Sequence, residues 1–193
     1  MRSSVISSDA ARRRLLAAVA GVLIWSVAWG TVRAAVLITV EEALELAFPG
    51  AELTRETLFL TAEQLRTAAD TAELDIASSM ATRFVARRDG QTVGFGYVDT
   101  HRVRTLPQTL VVILDPAGAV VRVEVAAFRE PLEYMPGDGW YRQFDGEELD
   151  RDLALDREIR PVTGATLTAR ATTDAVRRVL AIHHAVTAGE AAP

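Results

Sequence analysis

Thr82-Arg83-Phe84-Val85-Ala86-Arg87-Arg88, then Asp89-Gly90, then Thr92-Val93-Gly94-Phe95-Gly96-Tyr97-Val98-Asp99: this stretch decides the fold class. Two runs rich in β-branched and aromatic residues flank an Asp-Gly pair, the pattern of a hairpin with a tight turn. The pattern repeats downstream. Thr109 to Leu114 and Val120 to Ala127 flank Asp115-Pro116-Ala117-Gly118, a second turn with its own chemistry. Val111, Val112, Ile113 and Leu114 form an unbroken apolar run, as in a strand buried on both faces.

Outside this strand-rich centre the chain reads as helical. Thr39 to Ala47 is a short helix with Thr39 as its cap and Glu42 as the capping-box partner, stopped by Pro49-Gly50. Leu53 to Leu60 is extended. Thr61, with Gln64 three residues on, opens a second helix that runs toward Ser78. After Phe128 the chain is irregular through Gly139, and a short helix follows around Trp140 to Phe144. An acidic loop spans Asp145 to Asp156. The last element is a helix from about Thr168 to Val186. Val176, Val179, Leu180 and His183 recur at helical spacing, and Arg177 and Arg178 fall on another face. The expected class is α+β: a mostly antiparallel sheet with flanking helices and a C-terminal helix.

The chain has 193 residues and a formal net charge of −5. All 21 basic residues are arginine. Residues 1–34 hold five arginines and one acid, so the remainder carries a net charge of −9. An acidic body of that kind repels phosphate backbones and argues against a nucleic-acid partner. With no cysteine, disulfides, thiolate metal sites and iron–sulfur ligation are excluded. The three histidines, His101, His183 and His184, form no metal-ligand cluster by spacing. His183 and His184 suit the negative dipole end of the last helix; His101 falls at a strand edge or turn.

Arg12, Arg13 and Arg14 precede an apolar run from Leu15 to Val32 that ends in small residues. This reads as a signal peptide over residues 1–35, cleaved after Ala34 or Ala35. The same run is long enough for an uncleaved membrane anchor with the domain outside. The arginines also resemble a twin-arginine export signal. The body is then residues 36–187, with residues 188–193 a disordered tail.

Just before the last helix stands Thr163-Gly164-Ala165-Thr166-Leu167-Thr168. A helix N-terminus offers unpaired N–H groups and a positive dipole end to a phosphate. Gly164 and Ala165 allow close backbone approach, and Thr166 and Thr168 add hydroxyls. By itself the string reads equally as a set of helix-capping threonines.

The string resembles the flavinylation motif of the FMN-binding domain family, which includes flavinylated components of the sodium-translocating NADH:quinone reductase and of the Rnf electron-transport complex. Other features follow in the family's order: Val93-Gly94-Phe95-Gly96-Tyr97, the strand pair around Asp115 and Gly118, Arg129-Glu130-Pro131-Leu132, Trp140, and Phe144-Asp145-Gly146. Residues 36–187 as a whole are similar to small exported stand-alone FMN-binding proteins. The resemblance implies FMN as cofactor, joined by its phosphate to Thr166 by a flavin transferase. It implies a phosphate loop made of Thr163, Gly164, Ala165, Thr166, Leu167 and Thr168, with Leu167 either in that loop or in the core. A second flavin-contacting segment would hold Glu130, Pro131, Leu132 and Tyr134, with Tyr134 against the ring. Arg129 is a candidate charge beside the ring, and Trp140 and Phe144 anchor the short helix. The family usually has an aspartate three residues before the motif, where this chain has Arg160. Two attachments stay open: a phosphoester at Thr166, or non-covalent binding with Arg160 on the phosphate. The implied role is an exported electron carrier working with membrane redox partners at the outer face of the cell membrane. The alternative is a sensory module with non-covalent FMN. No catalytic acid, base or nucleophile is expected.

Overall fold

Six antiparallel strands in the order β1-β6-β5-β4-β3-β2 form the frame of the protein. They are seen in a computed structural model that describes residues 35–190; residues 1–34, where a signal peptide or membrane anchor is expected, and residues 191–193 lie outside the described residues. In chain order the elements are β1 (Ala35–Val36), α1 (Val40–Ala47), β2 (Glu52–Phe59), α2 (Ala62–Ala72), β3 (Met80–Arg88), β4 (Gln91–Arg102), β5 (Pro107–Leu114), β6 (Val120–Phe128), α3 (Asp138–Tyr141) and α4 (Thr166–Glu190). Strands β2 to β6 run as a meander, and β1 adds two residues beside β6. The class is α+β, as the residue pattern predicts.

Local chemistry accounts for the connections. Asp89 and Gly90 both have positive φ (52° and 78°), the conformation that a two-residue hairpin with right-handed strand twist demands. In the next hairpin one Asp115 carboxylate oxygen accepts from the N–H groups of Ala117, Gly118 and Ala119 at 2.8–3.0 Å. Both capping boxes form: Thr39 with Glu42, and Thr61 with Gln64.

The sheet is covered on both faces, and the Val111–Leu114 run shows why that stretch has no polar residue. Val111 and Ile113 pack toward α1 with Leu44, Phe48 and Phe84. Val112 and Leu114 pack toward α4 with Tyr97, Val176 and Leu180. All four residues of the run are fully buried. On the α1 face the strands carry glycine where the helix comes closest. A Cβ on Gly96 would lie 2.3 Å from Leu44 Cδ2, and one on Gly94 2.3 Å from Phe48 Cζ.

Several expectations are corrected. The last helix starts at Thr166, two residues early, and continues to Glu190, so residues 188–190 are helical and not tail. Arg177, expected on a different face from the apolar stripe, is not at the surface. It is buried and donates to Ala72 O, Asp150 O and Leu153 O. His183 is a core residue and not a dipole-end charge: its Nδ1 is 3.0 Å from the Tyr97 hydroxyl, and the Phe95 ring meets it tilted at 56°, 4.8 Å between centroids. Burial first, then the charges of His184 and Arg83, push its pKa down to about 4. Within the irregular segment, Leu132–Tyr134 forms a 3₁₀ turn. Among the described residues, no helix is long and apolar enough to cross a membrane.

Candidate functional site

The loop before α4 is shaped by one residue. Gly164 adopts φ +85° with no atom near where its Cβ would stand, so glycine is needed there for backbone conformation and not for space. Ala165 is buried, and its N–H donates to Val162 O at 3.1 Å. This turn aims the chain into α4, whose first residue is Thr166. The first turn of a helix leaves its N–H groups without intrahelical acceptors, and Ala165 O accepts from Ala169 N at 2.9 Å as the helix begins.

Thr166 is exposed, and its hydroxyl donates to Val162 O at 3.1 Å. The exposed Thr166 side chain thus stands at the positive end of a 25-residue helix. Thr168, two residues on, is buried, and its hydroxyl donates to Tyr134 O. That bond joins the loop to the Leu132–Tyr134 turn. Leu167 points outward, 51% exposed, and not into the core. Thr163 and Gly164 are exposed in the same loop.

These residues surround a cavity of about 280 Å³ lined by Arg104, Tyr134 and residues 164–168. Arg104 lies in the β4–β5 turn, and its guanidinium carbon stands 5.1 Å from the Tyr134 ring centroid, a cation–π contact. Glu130 holds that turn in place. One of its carboxylate oxygens accepts from Thr105 N and Leu106 N at 2.8 Å each, and from Arg104 N at 3.3 Å. The Leu106 and Thr105 N–H bonds hold the Glu130 carboxyl below the usual carboxylate range. Glu130 therefore acts on the cavity through Arg104.

Of the residues expected to form the site, the fold gathers Tyr134, Gly164, Ala165, Thr166, Leu167 and Thr168 at one cavity. Thr163 adjoins it. Pro131 and Leu132 are exposed and lead into the 3₁₀ turn without lining it. Arg129 is exposed, with its backbone N–H on Pro107 O. Trp140 and Phe144 are the expected anchors. Phe144 is fully buried, the two rings meet edge-on at 5.5 Å, and the Trp140 indole N–H donates to Arg160 O at 2.6 Å. Arg160 N donates to Gln143 Oε1 at 2.9 Å, and the Arg160 side chain is exposed.

Arg104 is the site residue that sequence reasoning missed. It sits 30 positions from Tyr134 and 62 from Thr166 in the numbering, and only the Glu130 bonds to its turn bring it in. A second missed group is Asp99, His101 and Arg178. Arg178 donates through Nε and Nη2 to the two Asp99 oxygens at 2.8 and 2.9 Å, and His101 Nδ1 meets Asp99 Oδ1 at 2.8 Å. Burial opposes the Asp99 charge, yet the bonds from His101 and Arg178 outweigh it and hold the pKa below the ordinary value. Alternation along β4 puts residues 97, 99 and 101 on the α4 side of the sheet, which no spacing rule linked to Arg178.

No protein-family model matches the chain, and no curated protein or solved structure matches it either.

Proposed function

We propose that this chain is an FMN-binding electron-transfer domain, exported and working at the outer face of the cell membrane, with FMN joined through its phosphate to Thr166. The observation that carries the reading is an exposed Thr166 hydroxyl at the first residue of a long helix, in one cavity with Arg104 and Tyr134. A dianionic phosphate is favoured by free N–H groups, a dipole end and a guanidinium together. The residues present fit a phosphate-bearing aromatic cofactor. Thr166 would carry the phosphate, Gly164 would keep the loop open, Arg104 would neutralise charge, and the Tyr134 ring would offer an aromatic face. Bound flavin would supply the electron-accepting and electron-donating chemistry. The protein holds the cofactor, orients it and limits water. The partners on this reading are a flavin transferase and membrane redox proteins.

Arg160, where the resembled family has aspartate, favours a second reading: non-covalent FMN in a sensory module, with this exposed guanidinium on the phosphate. In-gel flavin fluorescence of denatured protein from its native host separates the two. Fluorescence that stays with the wild-type band and is lost in Thr166→Ala supports the phosphoester. Flavin freed on denaturation supports non-covalent binding, and no flavin in either form overturns both.

A further inference from the structure

Strand β6 has an outer edge that no described strand covers along its middle. β1 pairs with Ala127 and Phe128, and Leu37 N adds one bond to Ala126 O. At the other end Val120 N donates to Glu147 O, and Val120 O accepts from Gly146 N. Between these ends, Arg122, Val123, Glu124 and Val125 keep regular register with β5, bounded by a register shift on each side. Among the described residues they pair with no strand on their outer side. All four line one cavity of about 460 Å³. Neighbouring residues of a strand point to opposite faces of its sheet, so a space that touches all four lies off the edge and not on a face. Unpaired N–H and C=O groups along such an edge are a template for another strand.

The residues along the edge say which strand. Val121-Arg122-Val123-Glu124-Val125 places opposite charges symmetrically about Val123, between valines. Set antiparallel to a second copy and centred on Val123, Arg122 faces Glu124, Val123 faces Val123, and Glu124 faces Arg122. Opposite charges in cross-strand positions stabilise the pairing, and like charges oppose it. A slip of two residues sets Arg122 against Arg122 or Glu124 against Glu124, and in-register parallel pairing sets each charge against its like. A slip of one residue mismatches the two faces of the sheet. Arg122 and Glu124 stand opposite Ile113 and Val111 of β5, which pack toward α1, so both charges emerge on the α1 face. Within one copy they meet at 3.2 Å, with the side chains 52% and 27% exposed. An exposed pair of that kind contributes little alone, and it leaves both groups in reach of a partner.

We propose that the β6 edge is a self-association surface, at which two copies of this chain join antiparallel about Val123 into one continuous sheet. The contact is isologous: the same residues serve both sides of a twofold axis. None of them lines the cavity at Thr166, so the inference stands apart from the flavin reading.

The test is the mass in solution of the full chain, purified in neutral detergent and followed by sedimentation up to about 100 µM, a range suited to a small interface. Wild type passes from one copy to two across the series. Arg122→Glu alone, or Glu124→Arg alone, sets like charges against each other in both cross-strand pairs and weakens the dimer at least about tenfold. The two changes in one chain put opposite charges back in the same register and restore the dimer, which also excludes a folding artefact. A wild type that stays single throughout, a single reversal that leaves the dimer intact, or a double reversal that fails to recover it overturns the proposal.

Discussion

Single residues set the tolerances of this fold. Gly94 lies between the Phe48 ring and Leu114 O, with a Cβ there 2.3 Å from the first and 2.6 Å from the second. The ring can give way; the carbonyl is fixed in the sheet. Gly94→Ala is therefore expected to cost about 1–3 kcal/mol as an overpacked core, read as a lower urea midpoint at unchanged slope; an unchanged midpoint would show that α1 is looser than its contacts imply. His183 makes a prediction in pH. Its ordinary pKa of 6.5 falls to about 4 in the fold. Between those values the unfolded chain binds a proton that the folded chain refuses. Stability from this group is complete above pH 6.5 and is lost as pH falls toward 4, on the order of 3 kcal/mol. Unfolding free energies across pH 4.5–7 should show the decline, and His183→Gln, which cannot titrate and keeps an acceptor for Tyr97, should flatten it.

At the scale of elements, α4 organises the molecule. Its Arg177 donates to the last carbonyl of α2, at Ala72, and to Asp150 and Leu153 of the acidic loop. The helix, its neighbour and the loop thus share one buried cation. Arg177→Leu would leave three carbonyl groups without this donor and is expected to destabilise the protein by about 3 kcal/mol or more. Arg177→Lys is expected to recover little, since an ammonium lacks the guanidinium fork. A small effect of Arg177→Leu on thermal unfolding would mean that water replaces the side chain there. Strands, both capping boxes and both hairpins are legible in the residue pattern, because turn chemistry and capping are local. What stays hidden depends on contacts far apart in sequence: the burial of Arg177, the His183–Tyr97 pair, Arg104 beside Tyr134, and the Asp99–His101–Arg178 group. The start of α4 misleads because Thr168 looks like a cap, whereas its hydroxyl bonds to Tyr134 O. The loop from Thr163 to Thr168 is legible as a candidate phosphate site, and its partner Arg104 is not.

At the largest scale, the described residues form a sheet braced on both faces, with a loop turned by Gly164 at the head of α4. The braces let the loop keep a fixed geometry without taking part in the core, apart from Ala165 and Thr168. An electron carrier needs that division between a stiff frame and an accessible cofactor. The proposed function turns on FMN at Thr166, and the intact mass of the protein from its native host decides the matter. A gain of one FMN less water, about 438 Da, is expected in wild type and none in Thr166→Ala. A wild-type mass equal to that of the bare polypeptide would refute the covalent link.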